Sequence, residues 1–243
     1  MDKVPLTSDV PSNTIVDNKD SKTITIKTSS HEKTYYTVVL SCCADGTKLP
    51  PMIILKRKTV PKDEISQGIV LHVQDKSWMD ENGMKLWLEK VWAKHPGGLL
   101  EKPSGLVCDQ FKSHVTEATK REVKELNLQL AIIPRGLTSQ LQPLDVFINK
   151  PFKVTVHEEW TKWVSEPNRD LTPTGQMKRL TIMQVCDWVK TSWQSVKEEI
   201  VMKSFKKYSI SNAFDGTEDD LLFEDIENEN LDYSAKSESE NEV

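Results

Sequence analysis

Residues 105–133 read GLVCDQFKSHVTEATKREVKELNLQLAII, and this stretch decides the fold class. Two short apolar segments, 105–108 and 128–133, have the length and composition of buried strands. The polar segment between them, 116–126, predicts a helix. A strand, a helix and a second strand at this spacing form a βαβ unit, whose two strands are parallel. The sequence therefore predicts an α/β protein.

The residues upstream of this unit predict an antiparallel meander followed by a helix. Residues 22–40 contain two β-rich runs around a turn-like segment, which we interpret as a hairpin. An Asp-Gly turn signal at 45–46 then precedes an apolar run at 50–55, which predicts a third strand paired with the second. A short strand is expected at 68–73, and apolar residues at helical spacing predict a helix over 80–94.

Two longer helices are predicted downstream, over 146–164 and 181–207, each with an apolar stripe suited to core packing. From residue 215 onward the chain is acidic and serine-rich, which predicts disorder. The order of these elements is that of the ribonuclease H-like fold. We predict a ribonuclease H-like mixed sheet flanked by helices, with a helical C-terminal extension and a disordered acidic tail.

Charge is unevenly distributed along the chain. The whole sequence has 32 basic and 37 acidic residues, a net charge of -5, yet residues 215–243 hold 12 acids and one lysine, a net of -11. Residues 1–214 therefore carry 31 bases and 25 acids, a net of +6. A basic body fits a polyanionic partner such as DNA, and an ordinary solvated surface is the alternative.

Membrane and zinc-binding classes are disfavoured by the sequence. The apolar stretches are well short of the roughly 20 residues that cross a bilayer, and the first twenty residues lack the pattern of a secretory signal. We therefore expect an intracellular protein with no membrane partner. The four cysteines form no CxxC pair, so we expect structural burial, with redox or nucleophilic chemistry as the alternative.

Two aspartates stand where a metal site would form. Asp109 follows directly on the first strand of the βαβ unit, and Asp145 lies 36 positions later, at the start of the next long helix. Carboxylates that meet at a sheet edge can hold Mg²⁺, which takes oxygen ligands. The alternative is structural, because an aspartate after a strand often forms a turn and one at a helix start often caps it.

Four stretches of the sequence are distinctive, namely VVLSCCADGTKLPPMIILKRK at 38–58, WMDENGMKLWLEKVW at 78–92, LVCDQFKSHVTEATK at 106–120 and GLTSQLQPLDVFINKPFK at 136–153. They resemble the DDE superfamily endonuclease domain of pogo/Tigger-type transposases and of host proteins derived from them. The resemblance runs from residue 1 to about residue 220. It implies a metal-dependent strand-cleaving and strand-transfer activity in the family.

The resemblance also implies a set of catalytic and metal-binding residues, namely Asp2, Asp109 and Asp145. Their implied role is Mg²⁺ ligation around a water or 3′-hydroxyl nucleophile and a scissile phosphate. Asp2 is the second residue of the sequence, so we expect a truncated first strand and a poorly held carboxylate. Lys3 stands where the family usually has glutamate, and it adds a positive charge beside the site.

Basic residues near these acids are the predicted contacts to phosphate groups, with an ordinary solvated face as the alternative. They are Lys56, Arg57, Lys58, Lys112, Lys150 and Lys153. The sequence contains no helix-turn-helix ahead of the domain, so we expect DNA binding to be non-specific.

These observations predict a nuclear, transposase-derived, nucleic-acid-binding protein that is catalytically inactive. Its predicted parts are a ribonuclease H-like DDE endonuclease-type domain at 1–165, a helical extension at 166–214 and the acidic tail at 215–243. Two alternatives remain open. One is an active Mg²⁺-dependent DNA strand-cleaving and transfer nuclease, and the other is an interaction scaffold whose acidic tail engages chromatin proteins.

Overall fold

A computed structural model describes residues 1–7, 35–61, 66–95, 104–166, 180–208 and 210–211. The strands are β1 (Asp2–Thr7), β2 (Tyr35–Leu40), β3 (Met52–Lys56), β4 (Val70–Gln74), β5 (Ser104–Asp109) and β6 (Leu128–Ile133). The helices are α1 (Glu81–Trp87), α2 (Glu117–Glu125), α3 (Thr138–Leu141), α4 (Asn149–Ser165), α5 (Ile182–Ser195) and α6 (Glu198–Lys207). Shorter pieces are a π-helical turn at Leu88–Trp92 after α1, another at Leu144–Ile148 before α4, and a 3-10 turn at Lys112–His114.

The strands form two hydrogen-bonded sheets that meet at β1. In the first sheet the order is β1-β2-β3-β4, with antiparallel pairing from β1 to β3 and parallel pairing between β3 and β4. In the second, β5 and β6 are parallel. The amino group of Met1 donates a 2.9 Å hydrogen bond to the carbonyl of Val107 in β5, which joins the two sheets.

Helices cover both faces of the first sheet. Val38 and Leu40 of β2 face a core shared with α4, α5 and α6, while Val39 between them faces a second core shared with α1 and α2. This follows from the strand geometry, because successive side chains point to opposite faces. All residues of β2 except Tyr35 are buried, as expected for a strand with both faces covered. The result is a mixed α/β architecture.

The βαβ unit and most of the other predicted elements are confirmed. β5 and β6 run parallel in the register Gly105 to Gln129, with α2 between them in the chain. The Asp-Gly turn precedes β3, and Gly46 takes a φ of +92°, which explains the glycine there. The helix predicted over 80–94 is present as α1 and the π-helical turn that extends it.

The single helix predicted over 181–207 is wrong, because the chain forms two helices. At Val196 and Lys197 the backbone is extended, with ψ angles of 120° and 139°. Val196 is buried in the core that α5 and α6 share with the sheet. The apolar stripe continues through the break, so the spacing of apolar residues did not show it.

The predicted hairpin within residues 22–40 is also wrong in its pairing. β2 has β1 on one edge and β3 on the other, so both of its edges are occupied. The first run of that prediction, at 22–27, lies outside the described residues. α5 and α6 pack on the same sheet as α4, and the domain boundaries predicted at 165 and 214 stay predictions; residues 215–243 also lie outside the described part.

The first strand is fully paired, and its predicted truncation relative to the family stays a prediction. All six residues of β1 are paired with β2, from Asp2 opposite Leu40 to Thr7 opposite Tyr35. The bond from Met1 to Val107 holds the other side of the strand at its start. Chain termini usually fray unless they are tied down, and β1 is tied down by its full pairing with β2 and, at its start, by the bond from Met1 to β5.

The sequence predicts a structural role for the cysteines and no membrane-spanning segment. The four cysteines, Cys42, Cys43, Cys108 and Cys186, are free thiols. Burial raises the pKa of Cys108 to about 11 and that of Cys186 to about 11, which disfavours a reactive thiolate. No helix in the described ranges has the length and apolar character needed to span a membrane.

A lysine from the turn between β2 and β3 holds the end of α5. The Lys48 ammonium donates to the carbonyls of Gln194 at 2.8 Å and Trp193 at 3.2 Å, and also to that of Val196. The last carbonyls of a helix have no partner within the helix, and a cation there also opposes the helix dipole. Lys48 therefore helps to end α5 and fixes it to the sheet.

We expect Lys48→Met to lower the free energy of unfolding by about 1–3 kcal/mol, since the carbonyls that it caps lose a charged donor. Chemical denaturation measures the change. Lys90→Met is the matched control, because Lys90 is exposed on the π-helical turn after α1. Equal losses in the two variants would contradict a capping role for Lys48.

Candidate functional site

Asp109 lies at the end of β5, as predicted, and its carboxylate is held by two basic side chains. The Lys3 ammonium lies 3.0 Å from both carboxylate oxygens. The Nδ1 atom of His114 lies 2.9 Å from Oδ1 of Asp109 and 3.0 Å from its backbone carbonyl, so Nδ1 carries the proton that it donates. Both oxygens of Asp109 are therefore engaged by the protein itself.

These contacts determine the charge state of Asp109. Burial alone would raise its pKa, but the hydrogen bond from His114 and the charge of Lys3 outweigh burial and lower the pKa to about 2. The pKa of Lys3 is lowered, because burial disfavours its charged form and the nearby charge of Asp109 offsets only part of that effect. The pair is sheltered, with side-chain exposures of 13% for Lys3 and 23% for Asp109.

Asp2 and Asp145 are brought together by Asn149. The amide nitrogen of Asn149 lies 2.6 Å from Oδ2 of Asp2 and 3.5 Å from Oδ1 of Asp145. Oδ1 of Asp2 accepts a 2.7 Å hydrogen bond from the backbone nitrogen of Lys3. Asp2 is 8% exposed, whereas Asp145 is exposed. The poorly held carboxylate expected at Asp2 is therefore wrong.

The surroundings of Asp2 disfavour its ionised form. Burial raises the pKa of Asp2 and the nearby charge of Asp145 raises it further, while the hydrogen bonds from Asn149 and Lys3 lower it without cancelling the rise. The Oδ1 atom of Asn149 is buried and makes no hydrogen bond. The surroundings of Asp2 thus favour a neutral side chain over an ionised carboxylate.

The residues present do not fit a divalent-metal site in this arrangement. A cation already lies against both oxygens of Asp109, and that cation is the Lys3 ammonium. Asp2 is occupied by Asn149 and by the backbone of Lys3. Within the ranges that the structure describes, no group of three or more His, Cys, Asp or Glu side chains is placed to hold a metal ion.

The six basic residues predicted to contact phosphate are all exposed. Lys56 is the last residue of β3, Arg57 and Lys58 follow it, and Lys112 begins the 3-10 turn after Asp109. Lys150 and Lys153 lie in the first two turns of α4. Their contact with nucleic acid stays a prediction.

The sequence placed the charge of Lys3 beside the site but did not identify Asp109 as its partner. It gave no role in the site to His114, the second donor to Asp109, or to Asn149, the link between Asp2 and Asp145. A signal existed for Asn149, because it stands four residues after Asp145, and residues at that spacing are neighbours on a helix. None existed for the pair of Lys3 and Asp109, whose positions are 106 apart in the sequence.

Comparison with known proteins places the chain in a family. The family described as "DDE superfamily endonuclease" matches residues 33–205, so this chain belongs to that family. Asp109 and Asp145 lie within the matched residues, and Asp2 lies before them. The predicted resemblance to pogo-type transposase-related proteins is confirmed. No solved structure matches the chain at a significant level.

Curated relatives of this chain carry pogo names. The human protein "Pogo transposable element with KRAB domain" is 37% identical over 228 residues, which cover 94% of this chain and 37% of that protein. Its mouse counterpart is 36% identical over 223 residues, covering 92% and 37%. The human "Pogo transposable element with ZNF domain" is 26% identical over 204 residues, covering 83% and 14%. The chain thus spans about 37% of the length of the first two relatives.

We expect Asp2→Asn to raise the free energy of unfolding at neutral pH. The folded-state pKa of Asp2 lies above its ordinary value of 3.8, so its ionised form destabilises the fold above that raised pKa. The amide of Asn149 can rotate to offer its unpaired Oδ1 to the new side chain.

Denaturation of both proteins across a pH series measures this effect. The advantage of the variant should shrink as the pH falls through the raised pKa toward 3.8, where wild-type Asp2 is protonated in both states. Asp75→Asn is the control, because Asp75 is exposed and should give no such difference. A destabilised Asp2→Asn variant at neutral pH would contradict the prediction.

Proposed function

We propose that this chain is a transposase-derived DNA-binding protein whose ribonuclease H-like endonuclease domain is catalytically silent. The observation that carries the proposal is the contact of the Lys3 ammonium with both carboxylate oxygens of Asp109, at 3.0 Å each. The implied family reaction needs those oxygens as metal ligands.

The energetic argument rests on the charge of Lys3 and its burial. A divalent ion at Asp109 would have to displace the ammonium, which is only 13% exposed. The displaced lysine would then lie close to a dication, and like charges a few ångströms apart repel by several kcal/mol at an effective dielectric of about 20. Lys3 would also lose its packing over the ring of Phe111, 3.6 Å from the ring centroid.

This reason for silence differs from the one that the sequence suggested. The sequence placed the weakness at Asp2, on the expectation of a frayed strand, and the structure orders Asp2 in β1. The proposal therefore rests on a cation already present at Asp109. It does not rest on a missing or mobile carboxylate.

We expect no nicking or strand transfer above background with Mg²⁺ or Mn²⁺, since the carboxylates engage protein donors. Purified chain is incubated with supercoiled plasmid, beside Asp109→Ala and Asp145→Ala variants. All three should give the same background. Metal-dependent nicking by the wild type that disappears in both variants would overturn the proposal and restore an active nuclease.

Removing the competing cation should change metal binding. We expect Lys3→Ala to bind Mn²⁺ at least about 10-fold more tightly than the wild type, because one buried positive charge beside Asp109 is lost. Titration followed by electron paramagnetic resonance of free Mn²⁺ measures the affinity. Lys120→Ala is the control, since Lys120 pairs with Glu117 on the exposed side of α2. Equal affinities in all three proteins would remove Lys3 as the cause.

DNA binding is proposed from charge and its placement. Residues 1–214 carry a net charge of +6, and the six predicted lysine and arginine contacts are exposed. Contacts of this kind go to phosphates and carry no sequence information, which supports non-specific binding. We propose DNA as the partner, the nucleus as the location, and Mg²⁺ as a cofactor of active relatives only.

Deletion of residues 215–243 should strengthen DNA binding at low salt, because it changes the net charge from -5 to +6. Fluorescence anisotropy with a labelled duplex across a salt series measures the affinity. A chain whose tail keeps its composition in scrambled order is the control and should bind like the wild type. Equal affinity with and without the tail would contradict the proposed basic face.

A further inference from the structure

A groove open to solvent is lined by aromatic and basic side chains. Its volume is about 460 Å³, and its walls are Tyr35, Lys56, Lys76, Ser77 and Trp78. Clefts of about 300–1,000 Å³ are the size that binds small molecules or parts of larger ones. The two aromatic residues are unusually open to solvent, with 48% of Tyr35 and 61% of Trp78 exposed. Both lysines are exposed as well.

The turn that carries Trp78 is held rigidly. Ser77 has a φ of +52°, in the left-handed region that a residue with a side chain rarely adopts. Its backbone nitrogen donates to the carbonyl of Gln74 at 3.0 Å. The side-chain oxygen of Gln74 accepts from the backbone nitrogens of Lys76 and Trp78. Ser77 itself is buried at 3% exposure. The constrained backbone therefore fixes the position of Trp78, whose side chain is largely exposed. A left-handed residue such as Ser77 costs free energy of folding.

The groove adjoins the acidic cluster, which consists of Asp2, Asp109 and Asp145. Trp78 contacts Phe111 with ring centroids 5.9 Å apart, and the Lys3 ammonium lies over the Phe111 ring, 3.6 Å from its centroid. Lys3 in turn holds Asp109. A ligand in the groove thus lies two side chains away from the carboxylates.

We propose that this groove binds unpaired DNA, with a base stacked on Trp78 and neighbouring phosphates on Lys56 and Lys76. Exposed aromatic rings offer flat apolar surface to a base, and lysines beside them offer charge to the backbone. In a duplex the faces of the bases are already stacked, so the groove selects a single strand or a strand end. The inference rests on the proposed DNA binding and adds a site and a strand preference to it.

Charge and shape together favour this ligand over an acidic peptide. A carboxylate-rich segment would satisfy the two lysines but would leave two rigid aromatic faces unused. An oligonucleotide that lacks bases isolates the contribution of charge, because its backbone carries the same phosphates without rings. The difference in affinity between a strand with bases and the same strand without them therefore measures the contribution of base stacking.

The experiment uses the full chain and a labelled oligothymidine of about 10 nucleotides, within the site sizes known for single strands. Fluorescence anisotropy compares it with an abasic oligonucleotide of the same length and with a duplex. We expect the wild type to bind oligothymidine at least about 5-fold more tightly than the abasic strand. Trp78→Ala should abolish that ratio, and Trp78→Phe should keep most of it.

Four further variants complete the design. Lys56→Ala and Lys76→Ala should weaken the binding of all three ligands and reduce the salt dependence of that binding. Lys90→Ala, at an exposed position, should do neither. Met183→Ala, an exposed apolar residue on α5 with 44% exposure, controls for the loss of surface area and should bind like the wild type. Circular dichroism verifies that each variant is folded.

The outcomes separate this inference from the proposed function. If Trp78→Ala keeps the wild-type ratio of oligothymidine to abasic strand, the groove is overturned while duplex binding still supports the proposed function. If the wild type binds duplex but shows no preference for oligothymidine, the inference is again overturned alone. If the wild type binds none of the three ligands, the inference and the proposed DNA binding both fail.

Discussion

Strand β1 is the constraint on which the rest of the structure depends. It pairs along its whole length with β2, and the Met1 amino group bonds to Val107 of β5, so one strand joins the βαβ unit to the four-stranded sheet. The two hydrophobic cores lie on opposite faces of the four-stranded sheet, and residues of β5 and β6 contribute to one of them. The same strand brings Asp2 and Lys3 beside the end of β5.

The position of β1 also decides the electrostatics of the site. Because adjacent residues of a strand point to opposite sides, Asp2 meets Asn149 of α4 and Lys3 meets Asp109. Asp109 is therefore neutralised by a lysine, and Asp2 is buried against an amide. The ionised carboxylate of Asp109 is thus stabilised by the protein, whereas burial disfavours the ionised form of Asp2. Both effects oppose the binding of a metal ion, which needs free, ionised carboxylates.

The aromatic groove is connected to Asp109 through side-chain contacts. Trp78 contacts Phe111, and Lys3, which lies over the Phe111 ring, pairs with Asp109. The turn at Ser77, with a φ of +52°, fixes the backbone that carries Trp78, whose side chain is largely exposed and contacts Phe111.

The sequence by itself determined the βαβ unit, the α/β class, the family and the charge division between body and tail. These features are local or compositional: apolar runs of strand length, a polar segment of helical length and long family motifs. Burial patterns of that kind survive in a single segment, which is why β5, α2 and β6 were predictable within a residue or two. Asp109 at the end of β5 was predictable for the same reason.

Only the tertiary structure decided how the segments meet. The partner of β2 is β1, a strand whose residues pair across a long insertion, and the pattern within 22–40 indicated a local hairpin instead. The break at Val196 depends on packing against the sheet and on Lys48 from another element. The pairing of Lys3 with Asp109 and the groove around Trp78 join residues far apart in the chain. Such contacts depend on the position of β1 between two sheets, and no spacing within one segment encodes that position.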